Sequence, residues 1–273
     1  MLQFLQSVAG RFATSALPRA GRSVRRSYAT HPARPARVRP LVWGAAFALP
    51  AAAALQSVLY LDADVQQDDV VVDSATSISF PKTLRVPSKI PTPTFTLVGV
   101  GVRTVSFLGI KVYSVGFYAD LSNPNLKISQ SATPQEKIEH IIDNTACVLR
   151  IIPTRNTSYT HLRDAFVRTL TARQQLAHKA GTLTQDEVIN IQAPVGKLKT
   201  LFPNAPFTKH TPLDIVLAPP DASQPRTVIF RDLGAVQHNW VARELFVAYF
   251  DGDGSSPPLK KMVMANLEHF GTL

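Results

Sequence analysis

Residues 97–120 read Leu97-Val-Gly-Val-Gly-Val-Arg103-Thr-Val-Ser-Phe-Leu-Gly109-Ile-Lys-Val-Tyr113-Ser-Val-Gly-Phe-Tyr-Ala-Asp120, and they decide the fold. Val, Phe and Tyr dominate 94–107 and 110–119, and Leu108-Gly109 lies between them, so the stretch is expected to be a β-hairpin. In strand order Leu97, Gly99, Gly101, Arg103 and Val105 share one face, as do Tyr113, Val115 and Phe117 on the next strand. A three-residue turn over 107–109 sets Arg103 opposite Tyr113, with Cβ atoms roughly 5 Å apart. A two-residue turn sends the two side chains to opposite faces. In the first register a groove floored by glycines holds one guanidinium and one phenol, a set that suits a carboxylate or enolate on an apolar ligand. The alternative is a strand-end arginine paired with a local acid beside a core tyrosine. Gly99-Val-Gly101 lacks the third glycine and the strand-turn-helix setting of a dinucleotide loop.

Downstream, 134–144 reads as a helix with Ile138, Ile141 and Ile142 on one side, and 146–152 as a buried strand. Residues 158–180 are helical, with Leu162, Phe166 and Leu170 four apart and Arg163, Arg168 and Arg173 largely on the wet faces. Thr184-Gln-Asp-Glu187 has capping-box form and opens a further helix towards Phe202. Strands are expected at 213–217 and 227–230, and closing helices at 239–250 and 259–270. Strands and helices without regular βαβ alternation make an α+β fold.

Upstream, 62–90 is acidic and then carries Pro81 and Pro87, which reads as a linker with one short edge strand at 70–72. From Pro40 to Leu61 no residue is charged, and at about 1.5 Å per residue such a helix just covers a hydrocarbon core of about 30 Å. Trp43 and Tyr60 stand near its ends, and Pro50 lies within it. Residues 1–39 hold eight arginines, no lysine and no acid, the composition of a mitochondrial transit peptide. Arg26-Ser-Tyr28-Ala29 has the form of a processing site cleaved between Tyr28 and Ala29. Arginines precede the span and aspartates follow it, so the domain is expected in the intermembrane space, held in the inner membrane by a single pass.

That arginine-rich leader carries +8 of the net charge of +10, which leaves the rest without an electrostatic footprint for nucleic acid. The single cysteine, Cys147, sits in an apolar run and excludes an intrachain disulfide. No histidine spacing makes a metal site, and no Cys-x-x-Cys-His is present for covalent haem. Asp251-Gly-Asp-Gly-Ser255 opens like a calcium loop, but its twelfth position is Met262.

The hairpin quoted above resembles the signature of the chalcone isomerase fold, and Leu245-Phe-Val-Ala-Tyr-Phe-Asp-Gly-Asp-Gly-Ser-Ser-Pro-Pro-Leu-Lys260 resembles its C-terminal segment. With the leader and span, the chain is most similar to the fungal mitochondrial members, the altered inheritance of mitochondria family. The resemblance covers about 91–273 and implies an antiparallel sheet backed by helices, with a ligand cleft between them. Plant members close a flavanone ring with an arginine, a threonine, a tyrosine, a lysine and an asparagine around the cleft. By this likeness the arginine is Arg103, the threonine is replaced by Tyr113, as in the fatty-acid-binding branch, and the tyrosine falls on Tyr159. The lysine and asparagine fall on Leu162 and Phe166, and a Thr-Met pair on Ala248-Tyr249. Two polar positions are therefore apolar, and leaving a polyhydroxylated substrate unpaired costs roughly 1–3 kcal/mol per group. The expectation is a noncatalytic protein that holds an apolar carboxylate, fatty acid or haem, with Arg103, Tyr113, Tyr159 and Tyr249. The alternatives are a residual isomerase or lyase using Arg103 as electrophile, and a membrane-tethered scaffold with an empty cleft.

Overall fold

A computed structural model describes residues 69–87, 92–105 and 108–271. The leader 1–39, its processing site at Tyr28 and Ala29, and the apolar span 40–61 lie outside the described residues. Among the described residues no helix is long and apolar enough to cross a membrane.

The main sheet is antiparallel and has seven strands in the order β11-β10-β9-β6-β5-β4-β3. These are β3 (Thr83–Leu84), β4 (Phe95–Val105), β5 (Ile110–Ala119), β6 (Cys147–Pro153), β9 (Leu213–Leu217), β10 (Thr227–Phe230) and β11 (Gly234–Gln237). Short ribbons pair β1 (Val70–Val72) with β2 (Ser79–Pro81), and β7 (Thr157–Ser158) with β8 (Pro206–Phe207). The helices are α1 (Pro134–Asn144), α2 (Tyr159–Lys179), α3 (Gln185–Leu201), α4 (Asn239–Val247) and α5 (Pro257–Leu267). The α+β expectation holds.

Central strands are apolar on both faces because both are covered. On β6, Cys147, Leu149 and Ile151 enter the core under the helices, while Val148 and Ile152 enter a second core on the far side. Burial pushes the Cys147 thiol up to about 12, so it packs as a small hydrophobe. Arg150 and Asp214 share the far face and form a bidentate pair at 2.7 and 2.9 Å.

Three expectations need correction. The stretch 62–90 is not only a linker: β1 appears where expected, but β2 and β3 follow, and Phe80, Leu84 and Val86 roof the far core. Pro81 closes β2 at a strand end of an edge ribbon, where a missing N–H is tolerated. Asp73 fixes this ribbon by accepting from the Ala75 amide at 3.0 Å and from the hydroxyls of Thr76 at 2.9 Å and Ser114 at 2.7 Å.

Second, Arg103 does pair with Tyr113, but not through the three-residue turn. Val105 pairs with Ile110 and Thr104 with Lys111, and an extra residue on β5, Val112, restores the register. Another irregularity at Val98 sends Leu97 to the far core while Val98 joins the helix-side core. Leu97 therefore does not share a face with Gly99.

Third, the glycines do not floor an open groove; helix α5 packs on them. A Cβ on Gly99 would come 2.7 Å from Val263 Cγ2, and one on Gly101 would come 2.6 Å from Leu259 Cα. The glycines admit another backbone. Polar ties complete the seam: Ser256 donates to the Val102 carbonyl at 2.8 Å, and Asn266 donates to the Val98 carbonyl at 2.8 Å.

Helix starts follow their caps. Thr133 with Glu136 opens α1, and Thr184 with Glu187 opens α3, each a reciprocal capping box. Helix α4 ends at Val247, short of Phe250, because the chain turns there towards the glycines at 252 and 254, both at positive φ.

Candidate functional site

Helix α2 crosses the sheet end where β4, β5 and β6 stop, and the gap between them is a cleft of about 230 Å³. Its apolar wall is Val105, Val112, Pro153, Leu162, Ala165 and Phe207; its polar lining includes Arg103, Tyr113, Arg155, His161 and Arg168, and no Asp or Glu. A small inward extension of about 10 Å³ is bounded by Arg103, Tyr113, Phe166, Ala248, Tyr249 and Ser255.

The register of the hairpin places Arg103 here, half-buried, and its Nη1 donates to the Ser255 carbonyl at 2.9 Å. That bond leaves most of the guanidinium's five donors to face the cleft. Tyr113 is buried and its hydroxyl lies 2.8 Å from that of Tyr249. Burial raises the pKa of Tyr113, with the Arg103 charge opposing, and burial with the neighbouring Tyr113 phenol raises that of Tyr249. Both are protonated phenols at neutral pH. One proton bridges the pair.

Of the residues expected from sequence, Arg103, Tyr113 and Tyr249 come together, and Leu162 and Phe166 present carbon to the cleft and its inner recess. Tyr159 does not line the cleft; it stacks at 4.6 Å on Phe207, which does. The arginine paired to a local acid is not found either, since among the described residues Arg103 joins no salt bridge.

Arg155, His161, Arg168 and Phe207 were not singled out in the sequence. Arg168 reads there as a solvated position, and it is exposed, yet Leu162, Ala165 and Arg168 recur every three residues and share the stripe facing the cleft. Arg155 and Phe207 belong to loops and short ribbons with no periodicity to read.

A family described as chalcone isomerase like matches residues 93–133 and 125–264. The Saccharomyces cerevisiae protein named altered inheritance of mitochondria protein 18, mitochondrial, is 27% identical over 260 residues, covering 77% of this chain and 78% of its own. The Kluyveromyces lactis protein of the same name is 27% identical over 173 residues, 51% of this chain and 53% of its own. In fold the chain is similar to the crystal structure of an Arabidopsis thaliana fatty-acid binding protein, with a TM-score of 0.52 at 17% identity over 73% of this chain and 97% of that one.

Proposed function

The chain belongs to the chalcone isomerase-like family, and from that premise we propose that it is a noncatalytic mitochondrial protein whose cleft holds a fatty acid by its carboxylate. The observation that carries this reading is the meeting of Arg103, free of any acid, with the buried Tyr113–Tyr249 hydroxyl pair at the end of an apolar gap. Arg103 offers a charge-assisted fork to the carboxylate and the phenol pair a further donor. Val105, Val112, Leu162 and Phe207 take the chain, at about 0.8 kcal/mol per buried methylene. The fold shared with a fatty-acid binding protein supports this ligand class, and the relatives' mitochondrial names support the address read in the leader. We place the protein in the inner membrane by its 40–61 span, with the domain in the intermembrane space; Ser/Arg-rich 1–39 and the change of charge across the span support this.

Haem is the other apolar carboxylate of the expectation, and the cleft of about 230 Å³ offers it the same Arg103 and phenol pair. The imidazole on its wall, His161, is exposed, with Nδ1 3.3 Å from the Thr157 hydroxyl.

Displacement of a fluorescent fatty acid from the full-length protein by dodecanoate tests the proposal. Arg103→Ala is expected to weaken dodecanoate by about tenfold or more, the loss of a charge-assisted pair. Unchanged affinity would remove the clamp. Incubation with a chalcone separates the enzyme reading: turnover that depends on Arg103 would make it an electrophile rather than an anchor.

A further inference from the structure

Most buried or bridging arginines of the domain have a defined partner. Arg150, Arg163, Arg173, Arg231 and Arg243 join carboxylates, and Arg226 donates to the carbonyls of Ala218 and Thr145. Arg103, Arg155 and Arg168 differ: among the described residues none makes a salt bridge, and all three line the same cleft. They come from three directions. Arg103 stands on β4, Arg155 follows the end of β6, and Arg168 projects from α2. Strand β5 lies between the first two, since Tyr113 pairs with both Arg103 and Pro153, so their strands are about 10 Å apart across two spacings. Two arginine side chains can span that gap from either side. Asp164, the acid on the adjoining turn of α2, is bonded by Arg163 at 2.8 Å, is felt by Arg168 only at longer range, and does not line the cleft.

One carboxylate cannot balance the three guanidiniums of a cleft whose lining holds no acid. We propose that, among single-chain anions, this cleft prefers a phosphate monoester, a lipid dianion, over the fatty acid of the reading above. A phosphomonoester carries about −1.5 to −2 charge at pH 7 and three strong acceptor oxygens, enough to engage Arg103, Arg155 and Arg168 together. Guanidinium forks suit phosphate geometry. The inference rests on the cleft being the ligand site proposed above and specifies the chemistry of its ligand.

The test compares dodecyl phosphate, dodecanoate and dodecanol, which share a chain and differ in head charge, as competitors for the fluorescent fatty acid on the full-length protein at neutral pH. Dodecyl phosphate is expected to bind at least about tenfold more tightly than dodecanoate, with dodecanol weakest. The Arg155→Gln/Arg168→Gln double variant, whose two side chains are exposed, is expected to abolish that preference by lowering the affinity for dodecyl phosphate to that for dodecanoate. Equal affinities for phosphate and carboxylate, or a preference indifferent to the double variant, would overturn this inference and leave the fatty-acid reading standing. Failure of all three amphiphiles to displace the probe would defeat both.

Discussion

Tyr113 and Tyr249 come from positions 136 residues apart in the chain, yet their buried hydroxyls meet at 2.8 Å. A phenol buried in this way is held neutral, and its hydrogen bond is the compensation for leaving water. Tyr113→Phe therefore leaves the Tyr249 hydroxyl unpaired and is expected to destabilise the domain by about 1–3 kcal/mol. The double replacement Tyr113→Phe/Tyr249→Phe removes both polar groups and is expected to cost less than the two single changes added together. Urea unfolding of the four proteins measures the coupling, and additive costs would show that the hydroxyls act independently. Arg103, half-buried beside the pair, is tied to the Ser255 carbonyl and the Tyr113 phenol but to no carboxylate among the described residues, so its replacement should affect binding more than stability.

At the scale of elements, the contact of β4 with α5 sets where the site lies. Because Gly101 meets the backbone of Leu259, Gly101→Ala must push α5 away, and it is expected to lose about 1–3 kcal/mol or more, read from thermal or urea unfolding. Gly196, inside α3 with nothing within 4 Å of an added Cβ, is the contrast: Gly196→Ala is expected to stabilise by about 0.5–1 kcal/mol. Equal effects at the two glycines would contradict the packing argument. The same elements show what the sequence can reveal. Thr133 and Thr184 announce α1 and α3 because a cap and its Glu three residues on are a local interaction. The irregularities at Val98 and Val112 were not legible, because an extra residue is defined only against the partner strand. The ribbon of β1 and β2 reads as mostly linker because Pro81 and the neighbouring acids mask Phe80, whose burial depends on the far face of a sheet formed later in the chain. The cleft was legible in its Arg103 and Tyr113 and illegible at its rim, where Arg155 and Arg168 approach from elements that no local pattern links.

As a whole, the domain is a sheet with a helical layer on one face and a short N-terminal ribbon on the other, with its cleft at the sheet end under α2. The ribbon's attachment through Asp73 and Ser114 means that the folded unit starts by residue 69, so a truncation at 91 removes Phe80, Leu84 and Val86 and is expected to expose the far core around Val100, Tyr118 and Val148. The arginine-rich leader predicts removal on import: N-terminal sequencing of the mitochondrial protein should read from Ala29, and an intact Met1 would contradict the address. The account depends above all on a single-chain anion held at Arg103. Native mass spectrometry of the purified full-length protein tests this most directly. The expected spectrum shows a one-to-one adduct with the mass of an anionic amphiphile, lost in Arg103→Ala; a bare polypeptide mass, or an adduct retained undiminished by that variant, would contradict it.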